Sequence, residues 1–166
     1  MSMQSPDSVA FQENSVTLSC FEVGGGVYAM DVSHVREVAR WQPITPLPKA
    51  PELIEGVIDF RSVIVPVVDL GRALTGRPCQ PDAATRIAIV EIDNLLMGLI
   101  VDAAIEVIQV AVSSMEDPPA LAIQAGYDTT RAVVRRAGAS PILVLSLEHI
   151  LESVYKSALA TSEGPS

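Results

Sequence analysis

The alternation of apolar and polar positions predicts short β-strands over most of the chain. Residues 57–68 are mostly valine and isoleucine, which fit a pleated, half-buried surface. Glycines 24–26 and the pair Asp93-Asn94 are turn signals that separate neighbouring strands. Further strands are predicted at residues 16–23, 27–30, 86–92, 95–101, 132–135 and 141–145.

Helical signals are fewer and lie between or after these strands. Residues 146 to about 160 predict a helix, because Leu147, Ile150, Leu151 and Val154 share one face behind a possible Ser146 N-cap. A short helix is expected at the start of residues 31–38, and a helical turn at 69–74. Residues 41–51 contain four prolines, so they predict an ordered loop.

Arg61 is the one basic residue in the apolar run from Val57 to Val68. A charge buried there without a partner would cost several kcal/mol, so Arg61 is expected to be paired or to face another protein. We predict Glu37 as its partner, in a bridge worth under about 1 kcal/mol that presents Arg61 at an interface. Pro66 lacks a backbone N–H, so its strand should lie at an edge or carry a bulge.

Length and charge narrow the class of protein. The 166 residues suit one domain or two small lobes that share a core. A net charge of −9 disfavours nucleic acid and anionic membrane surfaces as partners. The opening residues do not resemble a signal peptide and no apolar run could span a bilayer, so a cytoplasmic location is expected, with Cys20 and Cys79 as free thiols.

The residues that could carry chemistry are more simply structural. His34 and His149 are far apart and lack a nearby cysteine, so no metal site is predicted. Asp31, Asp69 and Asp102 each follow a strand, where aspartate accepts backbone N–H bonds. We therefore predict no catalytic residue and no cofactor.

Two internal echoes indicate a pair of similar lobes. Residues 28–38 resemble residues 97–107, and residues 67–74 resemble residues 144–151, in the same order. Each lobe would need the other to bury its apolar face.

At these residues the chain resembles the CheW-like coupling proteins of bacterial chemotaxis. The resemblance runs from about Leu18 to Leu151. The matching segments are Tyr28-Ala-x-x-Val-x-x-Val-x-Glu-Val38, Pro46-x-Pro-x-Ala-Pro51, Ile54-x-Gly-Val-Ile-x-Phe-Arg61, Val63-Ile-Val-Pro-Val-Val-Asp-Leu70 and Gly98-Leu-Ile-Val-Asp-x-x-x-Glu-Val107.

The resemblance implies a mainly all-β fold of two small five-stranded SH3-like β-barrel lobes around a shared hydrophobic core, with a C-terminal α-helix. Residues 15–151 would form this single domain, after a loose arm at 1–14 and before a helix end and tail at 152–166. It further implies a non-enzymatic adaptor that couples the cytoplasmic tip of a methyl-accepting chemoreceptor to the regulatory domain of a CheA-type histidine kinase.

By position, the resemblance assigns partner binding to Val35, Glu37, Gly56, Arg61 and Val63. Asp59-Phe60-Arg61-Ser62 stands where the family often has Asn-Leu-Arg-Gly.

Two alternatives stay open on the sequence. One is a small-molecule-sensing or minor hydrolytic domain that uses groove carboxylates, Asp31, Asp69 or Asp102. The other is a CheW-like competitor that occupies kinase sites and blocks array assembly.

Overall fold

The computed structural model describes residues 14–120 and 129–162, and most of them lie in β-strands. The strands are β1 (Ser15–Val23), β2 (Gly26–Asp31), β3 (Val35–Arg40), β4 (Ile54–Phe60), β5 (Val63–Asp69), β6 (Arg86–Ile92), β7 (Leu95–Val101), β8 (Ala103–Ala111), β9 (Met115–Glu116), β10 (Thr130–Val134) and β11 (Ile142–Leu145). The helices are α1 (Leu70–Thr75) and α2 (Leu147–Ser162), with 3-10 turns at Val32–His34 and Val112–Ser114. The predicted N-terminal arm lies outside the described residues except for Asn14, as do the last four residues of the predicted tail.

The strands form two sheets, as the sequence predicts. One has six strands in the order β8-β1-β2-β11-β10-β9, and the other has five in the order β3-β6-β7-β5-β4. The first sheet has one strand more than predicted, because the two-residue β9 pairs with the end of β10. The mainly β fold with a C-terminal helix is confirmed.

Both sheets are curled, because their edge strands meet. Thr45, which follows β3, exchanges two backbone hydrogen bonds of 2.9 Å with Val57 of β4, so the two edges of the five-stranded sheet come together. In the six-stranded sheet, the 3-10 turn Val112–Ser114 leads directly from β8 at one edge to β9 at the other. The edges are linked by this bridge and this turn and not by a continuous ladder, so each sheet is barrel-like without being fully closed.

The two sequence echoes occupy equivalent places in the two sheets. The segment 28–38 leads from β2 in one sheet to β3 in the other, and the segment 97–107 crosses back from β7 to β8. The second pair of similar segments, residues 67–74 and 144–151, is a strand followed by a helix in both cases. Each of these strands, β5 and β11, forms a parallel pairing in its own sheet. The repeat predicted from the sequence is therefore visible in the topology.

A core shared by both sheets and α2 holds the lobes together. Phe21 of β1 and Leu99 of β7 are both fully buried in it, alongside Leu147 and Ile150 of α2. Burial of large aliphatic and aromatic side chains is worth about 1.5–3 kcal/mol each, so this cluster is the main source of stability between the sheets. Ser146 accepts a hydrogen bond from the His149 N–H at 3.3 Å, which confirms the predicted N-cap of α2.

Residues 57–68 form a strand pair, with Arg61 and Ser62 in the turn between β4 and β5. One prediction about this pair needs correction. The strand β5 that contains Pro66 lies between β4 and β7 rather than at an edge, and the irregularity of the β4–β5 pair falls in β4, between Ile54 and Gly56. The parallel ladder of β5 with β7 begins at Val67, so Pro66 lies just outside that ladder and its missing N–H is tolerated.

Candidate protein-binding site

The β4–β5 hairpin ends in a tight two-residue turn. Arg61 and Ser62 both have positive φ, 50° and 68°, and the flanking residues Phe60 and Val63 are paired. Two consecutive positive φ values are typical of a type I′ turn, whose twist matches that of a hairpin. Asp59 Oδ1 accepts the Ser62 N–H at 2.9 Å and so stabilises the turn without the glycine that is common in the family.

This turn points the Arg61 side chain at Glu37 of β3. Arg61 Nη2 lies 2.5 Å from Glu37 Oε1, and the guanidinium lies 5.4 Å from the centre of the Phe60 ring. The predicted Glu37–Arg61 bridge is therefore present in the structure. The Arg61 side chain is 73% exposed, so the bridge orients a cation at the surface and contributes little to stability.

Two shallow concavities adjoin this bridge and together form what we call the Arg61 face. The first, of about 280 Å³, is lined by Arg36, Glu37, Phe60, Arg61, Val63 and Leu96. The second, an apolar groove of about 380 Å³, is lined by Ile54, Val63, Ile64, Pro66, Asn94, Leu95, Leu96, Met97, Leu151 and Val154. Val63 and Leu96 line both, so a cation and its carboxylate border an apolar surface, the arrangement of many protein interfaces.

The structure brings together three of the five residues to which partner binding is assigned. Glu37, Arg61 and Val63 lie on the Arg61 face. Val35 is half-buried and packs against the shared core instead.

Gly56 has a packing role that the structure explains. It is buried with a φ of 156°, and a Cβ there would lie 2.2 Å from the carbonyl oxygen of Thr45. Gly56 thus permits the close approach of Thr45 that joins the edges of the five-stranded sheet. Gly56 would therefore affect partner binding indirectly, through the shape of β4.

Sequence reasoning missed the exposed apolar residues of the Arg61 face. Ile64 is 63% exposed and Leu95 is 42% exposed, at the start of β5 and of β7. Their hydrophobicity was visible in the sequence, but β-branched and leucine residues at strand ends usually pack inward. Three exposed apolar side chains, Val63, Ile64 and Leu95, near one charged pair indicate a surface that another molecule covers.

The three candidate aspartates all accept backbone hydrogen bonds, as predicted. Asp31 accepts the Ser33 N–H at 2.9 Å, Asp102 accepts the Gly24 N–H at 2.7 Å, and Asp69 accepts the Cys79 N–H at 2.8 Å. Burial raises the pKa of Asp31, but hydrogen bonds from Ser33 outweigh it, with help from His34 and Arg131, and hold that pKa below its ordinary value. A general acid would need the opposite shift.

A further cleft lies beside Asp102 and Cys79. Its volume is about 860 Å³. Burial raises the pKa of the Cys79 thiol to about 12, and the neighbouring carboxylates of Asp102 and Asp69 add to this effect. A thiol that stays protonated at neutral pH is a poor nucleophile, so the cleft lacks an activated group of this kind.

Metal ligation finds no support in the described parts of the chain. Residues 14–120 and 129–154 contain no cluster of three or more His, Cys, Asp or Glu side chains placed to hold an ion. His34 instead lies 3.3 Å from the Glu91 carbonyl through Nδ1 and 3.7 Å from Glu148 through Nε2, so it joins β6 to α2. Within the described residues, no helix is both long and apolar enough to cross a membrane.

Comparison with known proteins agrees with this fold. The chain is 28% identical to the chemotaxis protein CheW of Rhizobium meliloti, over 85% of this chain and 90% of that protein. It is 28% identical to the protein FrzA of Myxococcus xanthus, over 85% of this chain and 88% of that protein. The crystal structure of the scaffolding protein TtCheW from Thermoanaerobacter tengcongensis superposes with a TM-score of 0.72 at 31% identity, covering 82% of this chain and 88% of that one. The family model of the CheW-like domain matches residues 17–155, and the chain belongs to the CheW-like family.

Proposed function

We propose that this protein is a non-enzymatic adaptor that couples a methyl-accepting chemoreceptor to a CheA-type histidine kinase. The observation that carries the proposal is the match of the CheW-like domain to residues 17–155, nearly the whole chain. The structural relative from Thermoanaerobacter tengcongensis is described as a scaffolding protein, which fits an adaptor role. The same role places the protein in the cytoplasm, where the kinase and the receptor tip lie.

The Arg61 face is the surface that we assign to partner binding. Glu37 fixes the direction of the Arg61 guanidinium, and exposed Val63 and Ile64 supply apolar area beside it. Arginine and apolar side chains in one patch are typical of the energetic centre of an interface. The regulatory domain of the kinase and the cytoplasmic tip of the receptor are the two partners proposed for the protein.

Four candidate groups in the described residues, three aspartates and one thiol, are not activated, which supports the non-enzymatic assignment. Asp31, Asp69 and Asp102 are each engaged by backbone N–H donors, and burial keeps the Cys79 thiol protonated. A sensing or hydrolytic domain would need a free carboxylate or nucleophile in its cleft.

Co-sedimentation tests the proposal directly. The protein is mixed with a receptor signalling fragment and the kinase, and we expect all three in one complex. The Arg61→Ala variant should be depleted from that complex. Arg135→Ala is the matched control, since Arg135 makes an equally exposed bridge with Glu116 on the other sheet. Failure of the unmodified protein to bind either partner would exclude the adaptor function.

A further inference from the structure

Two arginines face each other at the end of the β3–β6 ladder farthest from Glu37. Arg40 of β3 and Arg86 of β6 are directly opposed in the antiparallel register. Like charges at opposed positions repel and destabilise a sheet. An anion bound between the two guanidinium groups would relieve this repulsion.

Within the described residues, Asp82 is a nearby carboxylate, but it forms no ion pair with either arginine. Arg86 directs Nη1 to the carbonyl oxygens of Ala83 at 3.0 Å and Thr85 at 2.8 Å, and neither Arg40 nor Arg86 has an ion pair with a carboxylate in this part of the structure. By contrast Arg36, on the same strand as Arg40, pairs with Glu91 at 2.8 Å. The two opposed guanidinium groups thus keep donors available to a ligand.

A pocket of about 340 Å³ is formed around these donors. Arg40, Trp41 and Arg86 line it, together with Asp82, Ala83 and Thr85. Trp41 is half-buried and packs on the apolar cluster inside the five-stranded sheet, so its ring forms a fixed wall. Asp82 Oδ1 accepts the Ala84 N–H at 2.8 Å and the Thr85 hydroxyl at 3.4 Å, which ties that oxygen to its own loop.

We propose that Arg40, Arg86 and Trp41 form a binding site for a carboxylate side chain in an acidic segment of a partner protein. Guanidinium groups bind carboxylates through paired hydrogen bonds, and two of them beside an aromatic wall would hold one acidic residue and pack its neighbour. Two guanidinium groups can neutralise one or two anionic groups, whereas nucleic-acid binding needs an extended basic face. The choice of a protein as the source of the carboxylate rests on the adaptor function proposed above.

Fluorescence gives a direct test, since Trp41 is the single tryptophan of the chain. The protein is titrated with a short polyglutamate peptide, and we expect a saturable change in tryptophan emission that weakens with added salt. The Arg40→Gln/Arg86→Gln variant should bind about tenfold more weakly or worse. Arg135→Gln, which removes an exposed arginine beside β10 of the other sheet, should bind as the unmodified protein does.

The variants also report on the state of the fold. Loss of like-charge repulsion should leave the double variant no less stable in thermal unfolding. The single variant Arg40→Gln gives a second test, because Arg40 has no side-chain hydrogen bond within the described residues. No saturable response, or an equal response in the double variant, would overturn the proposal. Tighter binding of inorganic phosphate than of the peptide would also overturn it and assign the pocket to a phosphate group. Since neither kinase nor receptor is present, these outcomes are separate from the fate of the adaptor function.

Discussion

The ion pair between Arg61 and Glu37 joins the two opposite edges of the five-stranded sheet. Glu37 lies on the edge strand β3, and Arg61 lies at the tip of the hairpin that starts with the other edge strand, β4. The 2.5 Å contact is possible because the sheet curls until its edges meet near Thr45 and Val57. A surface cation is thereby fixed by the closure of the sheet itself.

The first prediction separates binding from stability at Arg61. Arg61→Ala should lower the free energy of unfolding by less than about 1 kcal/mol, because the pair is largely exposed. The affinity of the Arg61→Ala variant for the kinase or the receptor should fall by about tenfold or more. Denaturant unfolding and calorimetric titration measure the two effects, with Arg135→Ala as the control for loss of a surface ion pair. A fall in stability large enough to explain the lost binding would make Arg61 a purely structural residue.

The second prediction concerns the exposed apolar part of the Arg61 face. Ile64→Asp should abolish or strongly weaken partner binding while thermal unfolding changes little, because Ile64 is already 63% exposed. Val107→Asp is a matched control, since Val107 is 60% exposed on β8 of the other sheet. Equal loss of binding in both variants would show that added negative charge, rather than the position of Ile64, is responsible.

The third prediction concerns Gly56. Gly56→Ala should destabilise the fold by about 3 kcal/mol, because the new Cβ meets the Thr45 carbonyl and the backbone has positive φ. Gly138→Ala should cost about 1 kcal/mol, since Gly138 also has positive φ but has open space around its Cβ position. Chemical denaturation compares the two variants, and equal losses would contradict the role of close packing at Gly56.

The fourth prediction is a pH dependence set by Cys79. Its pKa is about 12 in the folded protein against an ordinary value of 9.0, so the folded state holds this proton more tightly than the unfolded state does. The associated stability is present below pH 9 and is lost as pH rises from 9 towards 12. Cys79→Ser should reduce the loss of stability over that range, measured by denaturant unfolding. An unchanged pH profile in Cys79→Ser would contradict this assignment.

Much of the architecture could be predicted from local patterns. The strands at 86–92 and 95–101 are predictable because two strongly apolar runs flank the Asp93-Asn94 turn. The caps at Asp69 and Ser146 followed from polar residues placed just before helical segments. These features depend on neighbours within a few residues, which a sequence displays directly.

The features that the sequence does not predict depend on contacts between distant parts of the chain. The position of the turn at Arg61-Ser62 cannot be predicted from the sequence, because valine and isoleucine flank it and neither residue is glycine or asparagine. The strand β3, which follows the short helix, is not predicted either, because its pattern becomes clear only when β6 pairs with it. The exposure of Ile64 and Leu95 depends on where the rest of the chain packs, which no local pattern contains.

The most direct test of the adaptor function is the activity of the kinase in reconstituted receptor assemblies. We predict that adding this protein raises kinase autophosphorylation and makes it responsive to the receptor, and that Arg61→Ala does so weakly. A competitor that occupies kinase sites without recruiting receptors would instead lower the activity of assemblies already formed. A fall in kinase activity, or no change at saturating protein, would contradict the proposal that this CheW-like protein couples receptor to kinase.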